Sequence, residues 1–217
     1  MTSVTLPGVY APQDDTDLLV QALLREPLPP QAAVLDVGTG TGAVALAAGR
    51  LGARVTAVDV SWRAVLNAKV NALLARIPLR VVHGNLLSPV SAQSFDLILS
   101  NPPYVPAPAA SCPRWSAARA WDAGYDGRLI LDRICQDAPA LLRPGGVLLL
   151  VQSALSGAEE SLRQLRAAGL SAEVVDHHSI AFGPVLRSRA GWLRSRGLVE
   201  GDDEKEELVI IRAERLS

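Results

Sequence analysis

The sequence predicts an α/β fold: a doubly wound, mostly parallel seven-stranded sheet with helices on both faces and an antiparallel strand near the carboxyl terminus. Two observations predict it. Short apolar runs recur along the chain with helical stretches between them, the alternation that builds parallel sheets. The first run ends in a glycine-rich turn, Gly38-Thr39-Gly40-Thr41-Gly42, that leads directly into a helical stretch, as the ligand-binding ends of such sheets do.

Residues 1–30 precede the first strand and are expected to cover the bound ligand. Ala33–Val37, Arg54–Val60, Leu79–His83, Phe95–Ser100 and Val147–Val151 are continuous apolar runs, the pattern of strands buried on both faces. Between them, Gly42–Arg50 is an alanine-rich helix, and Trp62–Leu74 places Val65, Leu66, Ala68 and Leu73 on an apolar side. Asp126–Leu142 predicts a later helix with Leu129, Ile130, Ile134 and Leu141 near one face, and Arg143-Pro144-Gly145-Gly146 predicts the turn into the next strand. Gly157–Ala168 then reads as a helix, with Ala172–Asp176 and Glu207–Arg212 as the last strands.

Two stretches fall outside the alternation. Residues 105–125 are rich in Pro, Ala and Ser and follow the fourth strand; a loop of that length is expected to face a substrate. Gly183–Gly197 carries Arg187, Arg189, Arg194 and Arg196 beside the acidic run Glu200–Glu207, so its charges partly offset.

The chain has 217 residues, of which 49% are hydrophobic and 20% charged, the balance of a globular protein. Its size fits a single domain, 1–217. A net charge of −1 excludes a global positive field that would gather nucleic acid or anionic membrane. No leader pattern and no run of about 18 apolar residues is evident, so a cytoplasmic protein is expected. Cys112, Cys135, His83, His177 and His178 lack metal-ligand spacing, and no metal is expected.

Asp36-Val37-Gly38-Thr39-Gly40-Thr41-Gly42 closes the first strand. Glycines let the backbone approach a ligand where a Cβ would collide, and N–H groups at the helix start are expected to face it. Asp59 ends the second strand, where a carboxylate can accept both hydroxyl protons of a ribose. Gly38, Gly40 and Ala43 also satisfy the dinucleotide pattern G-x-G-x-x-A. Asp36 separates the two readings, because a carboxylate there repels a pyrophosphate but can take part in binding an ammonium group. S-adenosyl-L-methionine carries an ammonium; NAD does not.

Asn101-Pro102-Pro103-Tyr104 follows the fourth strand. Two prolines cannot continue a central strand, and Pro102 biases Asn101 towards extended backbone. Asn101 is therefore held on stiff chain at the ligand edge of the sheet. Its side-chain oxygen and the Pro102 carbonyl can each accept one N–H of a planar NH2 group, and Tyr104 can stack on that group.

These residues together resemble the class I methyltransferases that modify NH2 groups, and within them the HemK/PrmC family of protein glutamine N5-methyltransferases. The motifs that carry the likeness are Val9-Tyr10-Ala11-Pro12-Gln13-Asp14-Asp15-Thr16, the glycine turn, Asp59, Asn101–Tyr104 and Ala120–Gly127. The resemblance is to the short branch that includes the eukaryotic release-factor enzymes and lacks the N-terminal helical domain of bacterial PrmC. It implies a Rossmann-like fold with S-adenosyl-L-methionine as cofactor. Thr16, Asp36 and Gly38 would surround its methionine part, Asp59 its ribose, and Asn85 and Leu86 its adenine, with Gly40 also cofactor-binding and Asn101 between cofactor and substrate. Asn101, Pro102 and Tyr104 would be the catalytic residues. Asn85 departs from the pattern, standing where the family commonly has Asp. The likeness also implies a protein substrate such as a peptide-chain release factor, and in the short branch a small zinc-binding activator protein. An adenine N6 or guanine N2 amine of a nucleic acid remains the alternative acceptor, with the four arginines of Gly183–Gly197 as phosphate contacts.

Overall fold

The computed structural model describes residues 4–108, 121–201 and 203–216. Each apolar run becomes a strand: β1 (Ala33–Val37), β2 (Arg54–Asp59), β3 (Leu79–His83), β4 (Phe95–Ser100), β5 (Leu142–Ser153), β6 (Leu170–Ala181) and β7 (Lys205–Arg215). They form one sheet in the order β3-β2-β1-β4-β5-β7-β6. The pairs from β3 through β5 are parallel, whereas β7 runs antiparallel to both β5 and β6. The chain order reverses between β1 and β4, so a crevice opens beyond their carboxyl ends. Ser100 ties that switch point by donating to the Val37 carbonyl at 2.9 Å.

Helices α1 (Asp14–Arg25), α2 (Ala43–Arg50), α3 (Trp62–Ala75), α4 (Leu131–Asp137), α5 (Ala158–Ala167) and α6 (Pro184–Ser195) surround the sheet. Two of them were not expected. In α1, Leu18, Leu19, Ala22 and Leu23 are buried, while Asp14, Asp15 and Asp17 in the first turn and Arg25 in the last suit the helix dipole. In α6, Pro184 opens the helix where its missing N–H costs nothing.

Other expectations need correction. The buried face of α3 is Ala64, Val65, Asn67, Ala68, Asn71 and Ala72; Leu66 and Leu73 are exposed. Asn67 and Asn71 are buried because they pair with backbone: Asn67 accepts from Leu6 N at 2.8 Å and Asn71 from Val4 N at 2.9 Å. Thereby α3 clamps the strand of chain that leads towards the site. The helix expected over Asp126–Leu142 shrinks to α4 followed by a tight 3-10 turn, Ala138–Leu141. Ahead of it, Asp126 accepts the Arg128 N–H and Gly127 adopts φ +75°, a geometry no helix shares. Arg143–Gly146 lies inside β5 as a bulge, between the pairs Phe95–Leu142 and Leu97–Val147.

The stretch 105–125 is closed at its base. Val105 N donates to the Trp121 carbonyl at 2.9 Å, and Ala107 N donates to the Gly124 carbonyl at 2.8 Å. Residues 109–120, which include Cys112 and much of the expected substrate-facing loop, lie outside the described residues. Among the described residues no helix is long and apolar enough to cross a membrane.

Candidate functional site

Asp36, in β1, is 2% exposed. Its Oδ2 accepts from Thr39 Oγ1 at 2.6 Å and from Ala45 N at 3.2 Å, which leaves Oδ1 unengaged by any described residue. Burial pushes its pKa up to about 6, with the Asp59 charge adding, against the two hydrogen bonds. A buried carboxylate with one open oxygen is suited to a cation.

The glycine turn spends several of its own N–H groups internally, ahead of the helix start at Ala43. Gly38 N and Thr39 N both donate to the Val58 carbonyl, at 2.9 and 3.1 Å, and Gly42 N donates to Thr39 O at 2.8 Å. Gly40 N is taken by Asp59 Oδ2 at 3.0 Å. Four donors that could cradle a phosphate are thus spent internally, between two carboxylates. This arrangement suits a ligand bearing positive charge and disfavours a pyrophosphate. Gly38 at φ +76° and Gly42 at φ +84° hold the left-handed turns, and a Cβ on Gly42 would press on Ala68 of α3.

Asp59 closes β2 and uses its second oxygen on Ser61 N at 2.8 Å. Burial raises its pKa above the usual carboxylate range, against hydrogen bonds from the Ser61 and Gly40 backbone. Each oxygen keeps a lone pair for a hydroxyl donor. After β3, Asn85 is exposed and its Oδ1 accepts from Arg133 Nη1 at 3.4 Å. Leu86 stands in the left-handed region at φ +50°, strained for a branched residue. Alongside, His83 stacks on Trp62 with ring centroids 3.9 Å apart.

Asn101 leaves the end of β4 beside the amino end of α1. Its Nδ2 donates to Thr16 Oγ1 at 3.3 Å, so its NH2 group is engaged and its Oδ1 stands free of described partners. Pro102 is buried behind it. Tyr104 is 8% exposed and its hydroxyl donates to Asp15 Oδ2 at 3.0 Å. Tyr10 donates to the same oxygen at 2.9 Å. Burial first, then the Asp15 charge, holds both phenols far from ionisation.

The fold thus gathers Asp36, Gly38, Gly40 and Asp59 at one turn, and Thr16, Asn101, Pro102 and Tyr104 at the neighbouring strand end. Asn85 and Leu86 follow β3, which pairs with β2 as far as Asp59 and His83. Sequence reasoning missed Asp15, although it lies in the quoted Val9–Thr16 motif, and Tyr10 with it. It also missed Glu206, which is 6% exposed in the acidic run read only as offsetting the arginines. One of the four α6-region arginines is neutralised: Arg189 pairs with Asp122 at 2.5 Å, whereas Arg194 is exposed and spends one N–H on the Gly201 carbonyl at 2.6 Å.

The model of the family described as "Methyltransferase small domain" matches residues 1–112. A Methanocaldococcus jannaschii protein, named provisionally as a protein N5-glutamine methyltransferase, is 34% identical over 181 residues, covering 83% of this chain and 90% of its own. The chain belongs to the methyltransferase small-domain family, in its HemK/PrmC group. It is an S-adenosyl-L-methionine-dependent methyltransferase. The release factor glutamine methyltransferase of Geobacter sulfurreducens is 37% identical over 173 residues, 76% of this chain but only 60% of the relative. Among solved structures, Mtq2 in the E. cuniculi Mtq2-Trm112 complex, described as responsible for methylation of the eRF1 translation termination factor, matches with TM-score 0.68. That match has 25% identity and covers 96% of this chain and 99% of the other. The family therefore agrees with the two carboxylates that flank the turn.

Proposed function

We propose that this methyltransferase modifies the side-chain amide nitrogen of a glutamine in a protein, with a translation release factor as first candidate, in the cytoplasm. The observation that carries the reading is the Asn101 amide, whose NH2 group is taken by Thr16 at 3.3 Å while its oxygen is left to accept. Asn101 Oδ1 and the Pro102 carbonyl accept the two N–H groups of the acceptor, which turns the nitrogen lone pair outward and favours positive charge on it. With its hydroxyl spent on Asp15, Tyr104 offers the acceptor its ring alone.

Asp36 is assigned to the methionine ammonium, with Thr16, Gly38 and Gly40 lining that part of the site. Asp59 takes the ribose hydroxyls, and Asn85 with Leu86 borders the adenine. When bound, S-adenosyl-L-methionine supplies an electrophilic methyl on a cationic sulfur. The acceptor nitrogen needs no base beforehand, because the methylated product sheds its proton to water or to a carbonyl.

The nucleic-acid alternative is weakened by the ion pair that Arg189 makes with Asp122 and by the net charge of −1. The similar proteins' names favour a protein substrate, and a small zinc-binding activator belongs to the same proposal. The test incubates the protein with labelled cofactor and purified release factors, with and without such an activator, and maps the label. Methyl on a glutamine nitrogen is expected; label on RNA or DNA alone would sink the reading.

A further inference from the structure

Asp15 touches neither the glycine turn nor the open oxygen of Asn101, yet four hydrogen bonds converge on it. Oδ2 accepts from the Tyr10 and Tyr104 hydroxyls at 2.9 and 3.0 Å. Oδ1 accepts from Thr16 N at 2.6 Å and from Thr16 Oγ1 at 3.2 Å. Asp15 is 4% and Thr16 5% exposed, so water does not compete freely for these bonds.

A hydroxyl has one proton. Thr16 spends that proton on Asp15, so towards Asn101 its oxygen can only accept. The partner it meets must then be the Asn101 NH2 group, as the 3.3 Å contact from Nδ2 shows, and the amide oxygen must point the other way. An asparagine amide is nearly symmetric in shape, and packing alone does not choose between its two orientations. A carboxylate at residue 15 does choose, because it can never donate.

We propose that Asp15 is a positioning residue: through the single hydroxyl proton of Thr16 it fixes which way round the Asn101 amide stands, and so makes Asn101 an acceptor for the substrate NH2. The idea rests on the proposed role of Asn101 in holding that group. Tyr10 and Tyr104 anchor the carboxylate from the opposite side.

Asp15→Ala removes the acceptor that takes the Thr16 hydroxyl proton, so Thr16 can donate to the Asn101 oxygen and the amide can turn over, whereas Asp15→Asn keeps an oxygen towards the Thr16 N–H and hydroxyl and retains the relay. Thr16→Val removes the relay with little change of volume, and Thr16→Ser retains it. Two readouts are taken. The side-chain amide resonances of Asn101, assigned by their loss in Asn101→Asp, report orientation without any substrate. One protected proton is expected in the parent and in Thr16→Ser, and loss of that protection in Asp15→Ala and Thr16→Val. Turnover is expected to fall about tenfold or more in those two variants, the factor of one lost hydrogen bond, with acceptor KM changing less than kcat and Thr16→Ser restoring most of the rate. Unchanged Asn101 resonances in both disrupted variants overturn the relay, whatever happens to the rate. Altered resonances with an unchanged rate overturn its role in the reaction. If no glutamine acceptor is labelled by the parent protein, the proposed substrate fails while the resonance test still decides the relay.

Discussion

Arg189 of α6 donates to Asp122 Oδ1 at 2.5 Å and to the Pro106 carbonyl at 3.0 Å, so a single guanidinium grips both ends of the stretch that leaves and re-enters the site edge. The two side chains are 17% and 15% exposed, dry enough that either charge left alone is costly. Asp122→Asn is expected to destabilise the protein by about 2–3 kcal/mol, near the lower end for a broken buried pair. It should also raise the acceptor KM while leaving cofactor affinity within about twofold, since Asp36 and Asp59, the proposed cofactor contacts, make no hydrogen bond to this pair. Urea denaturation and calorimetric titration read the two effects. A cofactor affinity that falls in step with stability would show that the grip serves the whole crevice.

Gly127 offers a second handle on the same region. Its φ is +75°, and a Cβ there would overlap the Tyr104 carbonyl oxygen and press on Ser156. Gly127→Ala is therefore expected to displace the chain just after Asn101-Pro102-Pro103 and to cost about 2 kcal/mol or more. Turnover should drop more than thermal stability suggests. Gly145→Ala is the control: it has φ +73° but nothing within 4 Å of the added Cβ, and it should lower stability alone.

Strands β1, β2, β4 and β5 were legible because strands buried on both faces leave continuous apolar runs, and the glycine turn was legible because left-handed backbone demands glycine; Leu79–His83, read the same way, is instead an edge strand with no buried residue. Helix faces were not legible. Leu66 and Leu73 suggested the buried side of α3, but Asn67 and Asn71 occupy it, and only the Val4 and Leu6 backbone far along the chain explains why. The α1 helix hid in a segment read as a cover. Within the site, the residue types and strand-end positions of Asp36, Asp59 and Asn101 are what drew the proposed roles to them. Asp15 did not, because its meaning lies in hydroxyls 5 and 89 residues away. Glu206 looked like one of several charges offsetting the arginines, and β7 carries it inside.

Cofactor affinity should depend on pH through Asp36. Burial raises its pKa to about 6, so below that pH the group is neutral and has lost its attraction for an ammonium. Affinity for S-adenosyl-L-methionine is expected to be level above pH 7 and to fall as pH drops through 6, by at most about tenfold per pH unit for one proton. Asp59, also raised by burial, adds dependence of the same sign. Asp36→Asn should therefore bind weakly at pH 8 and show a distinctly shallower profile than the parent in calorimetric titration. Parallel profiles for the two proteins would remove Asp36 from the ammonium site.

Stability should depend on pH through Glu206. Its Oε1 is buried with no hydrogen-bond partner, and burial pushes its pKa from 4.5 to about 7, with the Asp15 charge adding and a Ser153 hydrogen bond opposing. The folded state thus holds this proton more tightly than the unfolded chain does. Its stabilising contribution is full below pH 4.5 and is lost as pH rises through 7, a span worth about 3 kcal/mol. Glu206→Gln is neutral throughout and carries no such slope. Denaturant unfolding from pH 5 to pH 8.5 should show the variant gaining on the parent as pH rises, and overtaking it at the alkaline end if glutamine packs as well as the protonated acid. A difference that stays constant over that range would mean that Glu206 is not held as a neutral acid in the fold.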